Sequence, residues 1–66
     1  MIDVVVNGRT LVTAAKTVSD LVAAQDIAGT KIATAVNGRF VPEGRRATTL
    51  LNPGDQVEIV APRQGG

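Results

Sequence analysis

The tetrapeptide VNGR occurs twice in this 66-residue chain, at residues 6–9 and 36–39. Asn-Gly between two β-prone runs is a strong signal for a β-hairpin, because a type I′ turn needs positive φ at both central residues. Nothing else around the two copies repeats, so we interpret them as two hairpins that use the same turn chemistry. Because a chain of this length holds only one small domain, two hairpins predict a fold organised around a sheet.

The first hairpin joins the runs IDVVV, residues 2–6, and RTLVT, residues 9–13. A two-residue turn fixes which residues lie opposite one another, and alternation divides them between two faces. The pairs predicted on one face are Val4–Leu11 and Val6–Arg9, and those on the other face are Asp3–Val12 and Val5–Thr10.

A helix is predicted between the two hairpins, in the stretch TVSDLVAAQDI. Thr17 lies three residues before Asp20, which is the layout of an N-cap with an acidic residue in the first turn. We expect the helix to run from about residue 18 to Asp26 and to end near Gly29 and Thr30. The apolar residues that recur at helical spacing are Val18, Leu21 and Val22.

The last part of the chain reads as a type II turn followed by a strand. Pro53 and Gly54 occupy the central positions of the turn, and QVEIVA follows as a strand at residues 56–61. The order of elements is therefore strand, strand, helix, strand, short strand, strand, and the single helix must cover one face of a mixed sheet. Parallel pairing of the first and last strands at the centre is one economical arrangement, but strand order stays open at this point.

The composition predicts an aliphatic core and gives little sign of a nucleic-acid or membrane partner. The chain is 44% hydrophobic and Phe40, which we interpret as core or rim packing, is its one aromatic residue. The net charge is +1, with no basic run and no aromatic residues between basic ones, so a nucleic-acid groove is poorly supported. With no apolar run long enough to span a bilayer and no leader-like opening, we expect a cytoplasmic protein without a membrane partner.

The residue types that are missing argue against an enzyme. The chain has no cysteine and no histidine, so it lacks a thiolate nucleophile, a zinc–thiolate site and the commonest general base. The six carboxylates fall at turn, helix-start or exposed-strand positions. We therefore expect no catalytic residues, no metal site and no bound cofactor.

Four stretches, taken in order, resemble the ThiS family, the sulfur-carrier proteins of thiamine (thiazole) biosynthesis. They are VVVNGR, TVSDLV, AVNGRFVP and LNPGDQVEIV, the last of which leads into the terminal QGG. The resemblance implies an α+β, ubiquitin-like β-grasp fold: a mixed sheet of four to five strands, with one main α-helix packed on one face. It divides the chain into a β-grasp domain, residues 1–61, and a flexible C-terminal Gly-Gly tail, residues 62–66. Pro62-Arg63, ahead of the terminal glycines, and Glu43-Gly44, after FVP, depart from the family pattern. Arg45 and Arg46, which follow Gly44, are interpreted as parts of a solvated loop.

The resemblance assigns the chemistry to the tail, where the predicted site residues are Arg63, Gln64, Gly65 and Gly66. By family likeness, the carboxylate of Gly66 is adenylated by an E1-like adenylyltransferase of the ThiF type, which uses ATP. Sulfur from a persulfide donor then converts Gly66 to a thiocarboxylate, which donates sulfur to a thiazole synthase of the ThiG type. The carrier is a protein co-substrate that binds no cofactor itself.

A docking patch for the activating enzyme is predicted on the sheet face away from the helix. Alternation leaves Val5 and Val60 on that face. If the first and last strands are neighbours, the two valines lie close together, flanked by Asp3 and Glu58. An exposed apolar pair beside the start of the tail is a reasonable contact for a partner, although isolated surface valines are also normal in sheets.

Three other functions remain open from the sequence. The nearest keeps the mechanism and changes the pathway: the small subunit of molybdopterin synthase, or a carrier for another sulfur-containing metabolite. The second is a ubiquitin-like modifier that joins its Gly-Gly end to lysine. The third is a β-grasp module that binds RNA or a ligand and would tolerate loss of Gly66.

Overall fold

The computed structural model describes residues 1–25 and 31–61. Within these ranges the chain forms a five-stranded sheet, one α-helix and one turn of 3₁₀-helix. The predicted tail, residues 62–66, lies outside the described residues. The strands are β1 (Ile2–Val6), β2 (Arg9–Thr13), β3 (Ala33–Val36), β4 (Arg39–Val41) and β5 (Gln56–Val60); the helix α1 is Val18–Ala24 and the 3₁₀ turn is Glu43–Arg45.

Both Asn-Gly turns have the predicted backbone conformation. Asn7 and Asn37 have φ of 51°, and Gly8 and Gly38 have φ of 83°. Positive φ at both central positions is the signature of a type I′ turn, whose twist matches that of the paired strands. The register of the first hairpin is confirmed in full, with the cross-strand pairs Ile2–Thr13, Asp3–Val12, Val4–Leu11, Val5–Thr10 and Val6–Arg9.

The sheet is mixed, with strand order β2-β1-β5-β3-β4. The parallel pairing of the first and last strands is confirmed, with Val5 beside Gln56 and Val6 beside Val57. On its other side β5 pairs antiparallel with β3. β5 thus lies at the centre of the sheet, paired with β1 at Gln56 and Val57 and with β3 from Val57 to Val60, while β2 and β4 form the edges.

The helix α1 begins with a complete capping box. The Thr17 hydroxyl accepts the Asp20 N–H at 3.1 Å, and the Asp20 carboxylate accepts the Thr17 N–H at 3.3 Å. The helix ends at Ala24, earlier than predicted, while Asp26, Gly29 and Thr30 lie outside the described residues. No helix in the described part of the chain is long and apolar enough to cross a membrane.

The core lies between α1 and one face of the sheet, and it is aliphatic as predicted. β1 and β5 contribute alternate residues to it, which is the period-two pattern of a sheet with one covered face. Ala61, expected to continue the inward face of β5, is exposed. The buried apolar residues are Val4, Val6, Val18, Leu21, Val41, Leu51, Val57 and Ile59.

Removal of the N-cap should destabilise the domain measurably. We expect Thr17→Ala to lower the free energy of unfolding by about 1 kcal/mol, because the Asp20 N–H loses its acceptor. Urea denaturation followed by circular dichroism measures the change. Ser19→Ala is the control, since Ser19 is exposed in the same helical turn and should change the stability by less than about 0.5 kcal/mol. Equal losses in the two variants would contradict a capping role for Thr17.

Candidate functional site

The end of β5 is the part of the described structure closest in sequence to the predicted chemistry. Val60 is the last residue of β5, and Ala61 is the last residue described before the tail. The predicted site residues of the tail, Arg63, Gln64, Gly65 and Gly66, lie outside the described residues. The geometry available to a partner is therefore that of the strand end and of the sheet face around it.

The side chain of Asn7 binds the end of β5. Its Oδ1 accepts the Ile59 N–H at 2.9 Å, and its Nδ2 donates to the Ile59 carbonyl at 3.0 Å. The backbone N–H of Asn7 also donates to the Val57 carbonyl at 2.9 Å. Both polar groups of the Ile59 peptide units that face β1 are therefore satisfied by a side chain from a turn.

The second turn binds the opposite end of β5 in a similar way. The Asn37 N–H donates to the Gln56 carbonyl at 2.7 Å, and Asn37 Oδ1 accepts the Gln56 N–H at 3.0 Å. Its Nδ2 donates to Asp55 Oδ1 at 3.0 Å. Sequence reasoning assigned Asn7 and Asn37 to turn geometry alone and missed these bonds; the signal available was the choice of asparagine, in both turns, over residues that lack an amide.

The prediction that Val5 and Val60 lie close together is wrong, although both valines lie on the face away from the helix. The register places Val5 beside Gln56, and Val60 lies four residues further along β5. At about 3.3 Å per residue, the two are separated by about 13 Å along the strand direction. The expectation failed because it used alternation, which assigns a face, without the register, which assigns a position along the strand.

Val60 instead belongs to a group of apolar residues on β5, β3 and β4, bordered on β5 by the exposed Glu58, which is paired with Ala35. Val60 is paired with Ala33, and Phe40 is paired with Ala35. Phe40 is 68% exposed and Val60 is 54% exposed, whereas the alanines are half-buried. We call Ala33, Ala35, Phe40 and Val60 the sheet patch. Phe40, interpreted from sequence as core or rim packing, is thus a surface residue.

The two adjacent arginines after β4 have different roles. The Arg46 guanidinium donates to the Ile32 carbonyl at 2.8 Å and to Thr34 Oγ1 at 3.3 Å, and the Thr34 hydroxyl donates to the Val41 carbonyl at 2.8 Å. Arg46 therefore ties the loop to β3 and, through Thr34, to β4. The interpretation of both arginines as parts of a solvated loop is wrong for Arg46, while Arg45 is exposed.

A hollow of about 650 Å³ opens beside β4 and holds one carboxylate, that of Asp55. The Asp55 carboxylate is already committed to structure: Oδ2 accepts the Asn52 N–H at 2.8 Å, and Oδ1 accepts Asn37 Nδ2 at 3.0 Å. Asp55 therefore caps the turn at 52–55 and links it to the second hairpin. A carboxylate held in this way is a poor candidate for a general base.

Comparison with known proteins identifies the family to which the chain belongs. The ThiS family model matches residues 4–66. The chain belongs to the ThiS family. The crystal structure of the thiamine biosynthesis protein ThiS from Geobacter metallireducens is 26% identical to it, with a TM-score of 0.80, and the match covers 98% of this chain and 100% of that one. An NMR solution structure of a thiamine biosynthesis protein from the same organism gives the same identity and TM-score over 98% of this chain and 88% of that one. No curated protein gives a significant match.

Membership in the ThiS family makes the chain a non-catalytic sulfur carrier in thiamine biosynthesis. The five-stranded mixed sheet with one helix is the β-grasp fold that it shares with the ThiS structure. The tail to which the resemblance assigns the chemistry begins two residues after the end of β5. The end of β5, its Asn7 contact and the sheet patch are therefore the structural features of functional interest.

The difference between Arg45 and Arg46 is directly testable. We expect Arg46→Ala to lower the free energy of unfolding by about 1–3 kcal/mol, since it removes hydrogen bonds from a charged donor and leaves the Ile32 carbonyl without that partner. Arg45→Ala removes the same charge one residue earlier and should change stability by less than about 0.5 kcal/mol. Thermal or urea denaturation of the two variants measures the difference, and similar values for both would show that the Arg46 contacts contribute nothing.

Proposed function

We propose that Gly66 is the residue that carries sulfur, as a C-terminal thiocarboxylate. The observation that carries this proposal is the extent of the ThiS family match, which reaches Gly66 itself. An α-carboxylate is ionised at neutral pH and is a competent nucleophile towards an activated phosphate. The chain contains no cysteine, so no thiolate competes for the sulfur.

The reaction has two stages, and partner enzymes provide the catalysis for both. In the first, the Gly66 carboxylate attacks the α-phosphorus of ATP on an E1-like adenylyltransferase of the ThiF type, and pyrophosphate leaves. In the second, the terminal sulfur of a persulfide donor displaces AMP, and a thiol cleaves the resulting S–S bond to leave the thiocarboxylate. The carrier then delivers this sulfur to a thiazole synthase of the ThiG type. We place these steps in the cytoplasm.

The sequence of the tail suits delivery into a partner's active site. Five residues from Pro62 to Gly66 can span about 17 Å when fully extended. Gly65 and Gly66 carry no side chains, so they can pass a narrow channel and adopt dihedral angles that other residues cannot. Arg63 and Gln64 are the tail residues with side chains able to contact the entrance of such a channel.

We further propose that the activating enzyme docks on the sheet face away from the helix, at the sheet patch. Val60 lies two residues before Pro62, so a partner seated there is next to the start of the tail. The exposed ring of Phe40 adds the largest apolar side chain on this face, and aromatic residues are enriched in interface cores. Val5, half-buried on the same face, lies towards the far end of β5 and extends the docking surface away from the tail.

Mass spectrometry of the intact protein from its native cell tests the role of Gly66. We expect a fraction of the chains to have one oxygen replaced by sulfur, with the change localised to Gly66 by fragmentation. Localisation is essential because oxidation of Met1 shifts the mass by nearly the same amount. A chain lacking Gly66 is the control and should acquire no sulfur. A free carboxylate in cells starved of thiamine, with the activating enzyme present, would contradict the carrier role.

Val60→Asp should impair activation without unfolding the domain. A buried charge at an apolar interface costs several kcal/mol, so we expect the KM for adenylation to rise at least about tenfold. Val12→Asp is a matched control: Val12 is 58% exposed on the same face, but it lies on β2 at the distant edge of the sheet. Pyrophosphate release assays on both variants measure the effect. An unchanged KM for Val60→Asp, or an equal rise for Val12→Asp, would contradict docking at the sheet patch.

A further inference from the structure

We infer that Asn7 is a positioning residue for sulfur transfer: its side-chain amide fixes the end of β5 from which the tail departs. This inference rests on the proposed function of Gly66. It concerns a residue outside the tail and outside the sheet patch, and it assigns to the Asn-Gly sequence a role beyond that of forming a turn.

The first observation is that Asn7 replaces a missing part of β1. Along the parallel pairing, Val5 N–H donates to the Asp55 carbonyl and Asn7 N–H donates to the Val57 carbonyl, each at 2.9 Å. A continued strand would next accept the Ile59 N–H on the carbonyl of residue 7 and donate to the Ile59 carbonyl from residue 9. The chain instead turns at Asn7, where φ is 51°. The side-chain amide supplies both the acceptor and the donor that the backbone has withdrawn.

The second observation is where this contact falls on β5. Ile59 is the penultimate residue of β5, and β1 itself ends at Val6, which is paired with Val57. On the β3 side, Ala33 is paired with Val60. Asn7 is therefore the residue that hydrogen-bonds the last part of β5 from the β1 side. Without it, Ile59 and Val60 would be hydrogen-bonded from one side alone, as in an edge strand.

The position of the strand end sets where a partner bound to the sheet patch meets the start of the tail. Gly66 lies seven positions after Ile59. A change of a few degrees at the strand end moves a fully extended segment of that length by ångströms at its tip, and a misplacement of about 1 Å at a reacting atom can lower a rate by about 100-fold. A partner docked on the sheet patch requires the strand end to be presented in one direction.

The chemistry of the side chain explains why asparagine suits this position. The Ile59 peptide units need one acceptor and one donor, and a primary amide offers both. Ionised aspartate accepts but cannot donate. Glycine tolerates the positive φ of the turn but offers no side-chain group. Asn7→Gly therefore preserves the turn and removes the contact with Ile59.

The second VNGR copy provides a matched control within the same molecule. Asn37 has the same φ, the same neighbours in sequence and a comparable pair of side-chain hydrogen bonds. Its contacts are with Gln56 and Asp55, at the start of β5. Asn37→Gly thus removes equivalent interactions from the end of the strand that is remote from the tail.

The test compares the full-length protein with Asn7→Gly and Asn37→Gly in adenylation by its ThiF-type enzyme, measured as pyrophosphate release. We expect both variants to lose similar stability in urea denaturation. Because the sheet patch is intact, the KM for the carrier should stay within about twofold in both. We expect kcat to fall roughly tenfold for Asn7→Gly and to stay within about twofold for Asn37→Gly.

Amide hydrogen exchange by NMR adds a readout that general loss of stability would not reproduce. Exchange of the Ile59 N–H should accelerate in Asn7→Gly beyond the change in global stability, while in Asn37→Gly the acceleration should appear at Gln56 instead. If Asn7→Gly does not fold, Asn7→Asp replaces it, since it keeps the acceptor for the Ile59 N–H and loses only the donor. For Asn7→Asp we then expect kcat to fall by a smaller factor than for Asn7→Gly, again with little change in KM.

The outcomes separate this inference from the proposed function. If the protein without substitutions is not adenylated at all, both the proposed role of Gly66 and the positioning role of Asn7 are overturned. An active unmodified protein with equal kcat in Asn7→Gly and Asn37→Gly overturns the positioning role of Asn7 and leaves the role of Gly66 intact. An effect of Asn7→Gly on KM alone likewise overturns it, because that result assigns Asn7 to docking.

Discussion

The parallel pairing of β1 with β5 is the contact on which the rest of this structure depends. Val5 and Val6 lie beside Gln56 and Val57, so residues about 50 positions apart in the chain are neighbours at the centre of the sheet. This pairing places β5 between the two hairpins, and it brings the buried residues of both hairpins onto one face. The helix can then cover that face with a single apolar stripe.

The two faces of the sheet serve different purposes. The covered face carries the aliphatic core, which a domain of this size needs because it buries only about 60% of its unfolded surface. The open face carries Phe40 and Val60, which contribute nothing to that core and are free to meet a partner. Within the described residues, the side chains of Asp55 and Arg46 are engaged in hydrogen bonds that hold loops to the sheet. This arrangement fits a non-catalytic carrier.

Much of the fold could be predicted because its signals are local. The type I′ turn fixed the β1–β2 register through the two-residue count between the strands, and Thr17 with Asp20 located the start of the helix. The covered face followed from alternation in β1 and β5. The element order made the parallel pairing of the first and last strands one economical arrangement without fixing the strand order, and the structure has that pairing.

What escaped prediction depends on contacts between distant residues. The separation of Val5 from Val60 follows from the register of β1 against β5, which no local turn determines. Phe40 is exposed because its partner Ala35 lies on the open face, and its apolar character alone indicated burial. The bonds from Asn7 to Ile59 and from Arg46 to Ile32 join residues 52 and 14 positions apart. Side-chain hydrogen bonds of this kind leave no periodic signature in a sequence.

The engagement of both turn asparagines also bears on how the protein ages chemically. An Asn-Gly sequence is prone to deamidation, because the glycine N–H can attack the side-chain carbonyl carbon and expel ammonia. In the folded chain both amides are held against β5, at 2.9–3.0 Å from Ile59 and at 3.0 Å from Gln56 and Asp55. The attack requires those bonds to open, so the same contacts that secure the central strand slow the loss of the amides that make them. Deamidation at either turn would weaken the hydrogen bonds that the turn makes with β5. The chemical lifetime of the two amides is therefore coupled to the stability of the sheet.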